Sequence, residues 1–326
     1  MKQLKGAIIG CGGFGNQHLK NLLNMEGVQV IALVNRSRDR LEETVKLVPG
    51  ARCYQDYREM FEKETDLDFA VISTIPGGHD EIEEMAAAHH IPFYVEKPVG
   101  LNQAEMERKE KIVKESGILT SVGYQERYNP DLPELRQWLK QHPVVMAYGG
   151  WIGDMPGVSW WRKKESSGGQ LVEQCTHIFD MLRYLLGEAK TVSAMSRSDL
   201  HGEIEGCDVD DCAVCSVSFE NGVVASVMTG CFQKPGTPGW VGFTLVCQDG
   251  MVKYDWGKGL TLCTKEGEVR HNFPGDHHYR ALQAFVEAVR HGDASLIHSD
   301  YCDGVRTAKL TLAAQQAAEQ GKIVVL

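Results

Sequence analysis

Residues 5–23 read KGAIIGCGGFGNQHLKNLL, and the fold turns on how they are read. A short apolar run, Ala7 to Ile9, ends in Gly10. Glycines follow at 12, 13 and 15, and Phe14 to Leu23 carries a helical pattern. A strand that breaks into glycine and re-emerges as a helix is the opening of a βαβ unit. Gly10-Cys11-Gly12-Gly13-Phe14-Gly15 satisfies G-x-G-x-x-G. In that setting Gly10 permits the tight turn, Gly12 lets the backbone approach a pyrophosphate, and Gly15 lets the helix pack close to the strand. The helix N-terminus adds free N–H groups and a partial positive charge for phosphates. The same glycines without a strand before and a helix after would be only a turn.

The flanking sequence repeats the pattern. Strand-like apolar runs at Gly6–Ile9, Val28–Asn35, Asp68–Thr74, Pro92–Val95 and Leu119–Val122 alternate with helical stretches at Phe14–Leu23, Arg38–Leu47, Tyr57–Glu62, His79–His89 and Gln103–Glu115. Uniformly apolar strands alternating with helices predict a doubly wound parallel sheet of Rossmann type over residues 1–123. Beyond 124 the grammar changes. Asn221-Gly222, Asp249-Gly250 and Glu266-Gly267 are hairpin signals between strand-like runs such as CAVCSVSF, VVASVMTG and WVGFTLVC. Residues 124–326 therefore read as a second α/β domain with an open, mostly antiparallel sheet. It carries a helix at Gly169–Leu186 and C-terminal helices at Tyr279–Arg290 and Gly304–Glu319 that can pack back on the first domain.

Composition narrows the partners. The chain has 326 residues, 43% hydrophobic and 24% charged, with a formal net charge of −10. This is a globular composition of two-domain length. The acidic balance argues against nucleic acid, and no apolar run reaches the roughly 20 residues of a membrane span. The N-terminal apolar stretch is too short for a signal peptide. The ten cysteines are scattered, several inside apolar runs (Cys212 and Cys215, Cys247). They read as buried reduced thiols of a cytoplasmic chain, not as a zinc site or a disulfide framework.

Three further stretches carry candidate chemistry. The second strand ends in Asn35-Arg36-Ser37-Arg38, where an NAD site usually presents an acid to the ribose 2′-hydroxyl. With no acid to repel a 2′-phosphate, and with Arg and Ser to bind one, the segment favours NADP over NAD. Lys97 follows the strand Pro92–Val95 and precedes Pro98. It sits at a carboxyl strand end, where α/β sheets bind ligands, although a surface lysine paired with Glu96 is equally compatible with the motif. In the third stretch, Leu171, Cys175, Ile178, Leu182 and Leu185 form a core face, while Glu173, His177 and Asp180 share a second line. Such a line is either a satisfied internal network or a reactive face. A metal site would need more ligands than Glu173 and His177 supply, and none is expected.

Together, GCGGFGNQHLKNL, ISTIPGGHDEI, VEKPVGLN, VGYQERYNP and GGQLVEQCTHIFDMLRYLLGE resemble the glucose–fructose oxidoreductase / inositol dehydrogenase / rhizopine-catabolism (Gfo/Idh/MocA) oxidoreductase family over nearly the whole chain. The resemblance implies catalytic roles for Lys97, for His177 as the proton-transferring imidazole, and for Glu173, which stands where the family usually has Asp. It implies that Gly10, Gly12, Gly13, Phe14, Gly15, Asn35, Arg36, Ser37, Ser73, Thr74, Pro76, His79, Glu96 and Lys97 line the cofactor. Tyr124 and Arg127 match the segment entering the substrate cleft, and Trp161 and Asp180 are expected beside it. The implied reaction is hydride transfer between NAD(P) and a secondary alcohol or ketone of a sugar or cyclitol. Trp151, Trp160 and Trp161 would suit sugar C–H faces. Two alternatives stand beside it: a glycosidase of the same family that uses tightly bound NAD and transient oxidation, and a non-catalytic redox sensor that binds NADP. The few polar alternations in WVGFTLVC and VVASVMTG, with the family resemblance, imply a homodimer or homotetramer packed through the C-terminal sheet.

Overall fold

The computed structural model describes residues 3–273 and 275–326. Met1 and Lys2, with which the first expected domain begins, and Pro274 in the second lie outside the described residues. The chain forms two compact units: Met1–Gln125 with Asp276–Val305, and Glu126–Gly275 with Arg306–Leu326.

The first unit is built on six parallel strands: β1 (Leu4–Ile9), β2 (Val28–Val34), β3 (Arg52–Tyr54), β4 (Phe69–Ile72), β5 (Phe93–Val95) and β6 (Thr120–Val122). Their order, β3-β2-β1-β4-β5-β6, is that of a doubly wound sheet. Register places Ile8 between Leu33 and Val71, and the central strands are buried along their length, as a sheet covered on both faces requires. Helices Gly13–Leu23, Arg38–Thr44, Tyr57–Lys63, Ile82–Ala88 and Gln103–Ser116 connect the strands. The later helix His277–His291 adds Phe285, which lies edge-on to Phe69 at 6.0 Å. Strand β3 has no counterpart in the sequence reading. It is three residues long, lies at the sheet edge, and buries only Tyr54, so it has no apolar run to betray it.

The second unit holds nine strands: β7 (Val144–Asp154), β8 (Ala189–Arg197), β9 (Cys212–Phe219), β10 (Val224–Gln233), β11 (Trp240–Cys247), β12 (Gly250–Asp255), β13 (Gly259–Thr264), β14 (Gly267–Asn272) and β15 (Val324–Val325). They run in the order β14-β13-β12-β11-β7-β10-β9-β8-β15. Of these pairings only β7–β10 is parallel. The three hairpin signals fall at the β9–β10, β11–β12 and β13–β14 turns. One face of the sheet forms the core. Ala147, Cys215, Val217, Val227, Phe243, Leu245, Val252 and Tyr254 pack there with Ile178, Phe179 and Leu182 from the helix Thr176–Leu186 and with Leu310 from the helix Tyr301–Gln320.

Two sequence readings need correction here. The stretch expected as one regular helix, Gly169–Leu186, is broken. Gly168 and Gly169 take φ of +77° and +79°, Gln170–Gln174 forms a π-helical turn, and a regular α-helix begins only at Thr176. Cys212 and Cys215 also have C-x-x-C spacing, which the dismissal of metal-type cysteine patterns overlooked. Both lie on β9, where a period of two points them to opposite faces, and Cys215 is buried in the core. All ten cysteines are free thiols.

Candidate active site

In the first unit the glycine turn is shaped by what a side chain would strike. Gly10 has φ of +102°, and a Cβ there would overlap the Ser73 carbonyl; one at Gly15 would overlap the Gly10 carbonyl oxygen. These two glycines are demanded by the fold itself. Gly12 and Gly13 are different. A Cβ at Gly12 would meet only the Arg40 guanidinium, at 3.9 Å, and one at Gly13 nothing within 4 Å. Gly12 is also the N-cap of the helix Gly13–Leu23, with no side-chain cap and no acid in the first turn. The helix therefore offers its first N–H groups, with the positive end of its dipole, beside open space. The Thr74 hydroxyl, at the carboxyl end of β4, is buried without a hydrogen-bond partner. A bare backbone cradle of this kind fits a dinucleotide.

Asn35 and Ser37 have local duties. Asn35 Oδ1 accepts from the Cys11 amide (3.1 Å), which ties the end of β2 to the glycine turn, and Ser37 caps the helix Arg38–Thr44. The exposed Arg36 reaches toward Gly78, its Nη2 lying 3.5 Å from where a Cβ of that residue would be. Arg40, which the sequence reading passed over, flanks Gly12. Its only sequence signal is a place one turn into the helix after Asn35. Phe14 is 47% exposed and its ring lies 5.6 Å from that of His278.

Lys97, half-buried, follows β5, and its amide donates to the Glu96 carboxylate (3.3 Å). Glu96 is buried and its other oxygen is 2.7 Å from Nε2 of His18, itself wholly buried. Gly123 is glycine because a Cβ would come within 2.8 Å of that carboxylate. Burial pushes the Glu96 carboxyl up, but His18, Lys97 and His278 outweigh it and hold the carboxyl below the usual range. Pro76 opens the turn Pro76–Gly78 and is buried. His79 is turned into the interior, with Nδ1 2.5 Å from Glu83, whose other oxygen accepts from Lys109 at 3.0 Å. Its polar edge is thus engaged in a buried triad that anchors the loop after β4. Tyr124 is buried just past β6.

In the second unit the π-helical turn changes the phase of the supposed polar line. His177 and Asp180 lie on the regular α-helix Thr176–Leu186, whereas Glu173 lies on the π-helical turn before it. The Glu173 carboxylate accepts from Trp161 Nε1 at 2.8 Å. Trp161 is buried against Val209 and Cys231. Asp180 takes a bidentate pair from Arg127, at 2.8 and 2.6 Å, and a hydrogen bond from Thr307 at 2.9 Å. Arg127 and Asp180 are both almost wholly buried, so their charges neutralise each other and hold the start of the unit to its central helix. His177 lies about one turn before Asp180 on the same helix. Its ring lies 5.8 Å from that of Trp151 and 5.1 Å from that of Trp256. Trp256 went unremarked in sequence, because nothing local marks it. Among the described residues no cluster of three His, Cys, Asp or Glu could hold a metal ion, and no helix is long and apolar enough to cross a membrane.

Comparison with known proteins accords with this geometry. Residues 4–124 match the model of an oxidoreductase family with an NAD-binding Rossmann fold, and residues 143–253 match the Gfo/Idh/MocA C-terminal domain. A scyllo-inositol 2-dehydrogenase (NAD(+)) of Bacillus subtilis is 26% identical over 69% of the chain and 66% of its own length. A D-apiose dehydrogenase of Paraburkholderia graminis is 26% identical over 70% of the chain and 60% of its own length. The chain thus spans less than two thirds of either relative. An oxidoreductase from Agrobacterium radiobacter, solved with NAD+, L-tartaric acid and magnesium, shares the fold at a TM-score of 0.85, with 19% identity over 99% of this chain and 98% of that one. With both of its units matched, the chain belongs to the Gfo/Idh/MocA oxidoreductase family.

Proposed function

We propose that the protein transfers a hydride between a nicotinamide dinucleotide, NADP in preference to NAD, and a secondary alcohol or ketone of a sugar or cyclitol. The observation that carries this reading is the bare cradle of Gly12 and Gly13 at an uncapped helix N-terminus. Gly10 to Gly15, Ser73 and Thr74 hold the dinucleotide, and Arg36 and Arg40 take the 2′-phosphate, with no acid at position 35 to repel it. When bound, the cofactor supplies the carbon that gives or accepts the hydride. In the oxidation direction the His177 imidazole takes the proton of the substrate hydroxyl. The Lys97 ammonium stabilises the negative charge growing on that oxygen. Glu96 steadies the backbone that carries Lys97. Glu173, braced by Trp161, supplies a negative charge near an imidazole that is taking up a proton. In reduction the same groups run in reverse.

Ten free thiols fit a reducing compartment, the cytoplasm. The outer face of the nine-stranded sheet exposes Tyr148, Val214, Val224 and Met195, the last at 82%. Two copies pair through this face, and sedimentation velocity should show a dimer or tetramer; a monomer at micromolar concentration would overturn the pairing.

The test of the reaction is absorbance at about 340 nm, the band of the reduced hydride carrier, on a panel of polyols and aldoses with NADP and then NAD. Substrate-dependent reduction should be faster with NADP and fall about 10²–10⁴-fold in Lys97→Met. Sugar released from an aryl glycoside with no change in absorbance would instead identify the bound-cofactor glycosidase.

A further inference from the structure

We infer that Trp151 and Trp256 form a ring-recognition wall beside His177, so that the substrate is a closed ring with an apolar C–H face and not an open-chain polyol. This rests on the reading of His177 as the proton-accepting group. The two tryptophans come from distant sequence but share one row of the sheet. Val241 is the cross-strand partner of Trp151, and the amide of Trp256, the residue after β12, donates to the Val241 carbonyl at 3.1 Å. By the period of two, Trp151 continues the face of Ala147, and Trp256 continues that of Val252 and Tyr254. This is the inner face of the sheet.

Much of the inner face is sealed. Ala147, Phe243, Leu245, Val252 and Tyr254 are each at most 1% exposed, and Phe243 and Tyr254 stack at 4.5 Å and 10°. The two indoles remain only half-buried. Their ring centroids are 5.4 Å apart at 59°, and both lie within 6 Å of the imidazole. They form a corner with His177 at its side. Leaving indole surface open on an inner face forgoes stabilisation unless a ligand covers it. A pyranose or cyclitol presents a rigid patch of C–H groups on one face and hydroxyls around its rim. The patch stacks on an indole, while the second indole, set at an angle, blocks the ring from sliding. That docking leaves a rim hydroxyl toward the imidazole. An open-chain polyol has no fixed C–H face and would lose several rotatable bonds on stacking.

The test uses the purified full-length chain, an inositol as the ring, and a hexitol with the same number of hydroxyls as the chain. Intrinsic tryptophan fluorescence reads binding, and absorbance at 340 nm reads hydride transfer. In the wild type the ring should change the fluorescence at concentrations where the hexitol does not. In Trp256→Ala the ring-to-chain ratio of apparent affinities should fall about tenfold or more, as for the loss of one aromatic contact, with KM for the ring rising more than kcat falls. Trp256→Phe should recover most of the ratio, and it answers the question if the alanine variant does not fold. Equal binding of ring and chain, or a ratio unmoved in both variants, overturns the inference whether or not hydride transfer is seen. Ring-dependent fluorescence without hydride transfer for any ring tested would overturn the reading of the reaction and leave the wall standing.

Discussion

The glycine turn of the first unit and the tryptophan corner of the second are built by opposite means. In the turn the ligand surface is backbone. Gly10 and Gly15 are fixed by contacts of the chain with itself, and Gly12 and Gly13 are left bare. In the corner the surface is side chains, drawn from β7, from the residue after β12 and from a helix that starts beyond a π-helical turn. A backbone site is contiguous in sequence and tolerates almost no change within it. A side-chain site is scattered, and one residue can be exchanged while the others keep their places. The first arrangement suits an invariant ligand part such as a pyrophosphate, and the second suits a variable one such as a substrate.

The sharpest way to break this contrast lies within the turn. Gly15→Val should prevent folding of the first unit, because its Cβ would overlap the Gly10 carbonyl. Gly12→Val should fold, at a cost of no more than about 1 kcal/mol for a poorer N-cap, since Gly12 has an extended backbone and open space around it. Thermal unfolding of the two variants checks this. Similar melting temperatures for both would mean that the glycines are not divided into structural and ligand-facing pairs.

A smaller effect sharpens the picture at Lys97. The Glu96 carboxyl is held below its usual range by His18, Lys97 and His278, which outweigh its burial. A depressed carboxyl contributes stability above its unfolded-state pKa, about 4.3, and that contribution disappears as pH falls through the folded value. Urea unfolding should therefore show wild type more stable than Glu96→Gln at pH 7, with the gap closing in acid below about pH 4. A gap independent of pH would mean that Glu96 acts by shape and not by charge.

The same contrast explains what could be read from the sequence. Five strands of the first sheet were legible because each is an apolar run punctuated by glycine or by a helical stretch, and β3 was not, because its three residues bury only Tyr54. The hairpins were legible from Asn221-Gly222, Asp249-Gly250 and Glu266-Gly267, where local turn chemistry carries the signal. The π-helical turn was hidden, since Gln170–Gln174 differs from an ordinary helix in hydrogen bonding and not in composition. Only the paired glycines 168 and 169 hinted at a break. Asp180 looked like a companion of His177 at helical spacing, yet its partners are Arg127 and Thr307, more than fifty residues away in either direction. Trp256 was illegible for the same reason. Val241 and Trp151 meet it through sheet register, and His177 meets it from the helix Thr176–Leu186.

The most direct measurement is a titration of reduced nicotinamide dinucleotide into wild type, Gly12→Val and His177→Ala, followed by turnover of the best substrate found. Gly12→Val should lose dinucleotide affinity by about a hundredfold or more, as when a close ligand approach is blocked. His177→Ala should bind the dinucleotide within about twofold of wild type and lose turnover by about 10²–10⁴-fold, as for a removed acid–base group. A Gly12→Val protein that binds normally, or a His177→Ala protein that turns over at the wild-type rate, would contradict the assignment of cofactor to the bare backbone and of proton transfer to the imidazole.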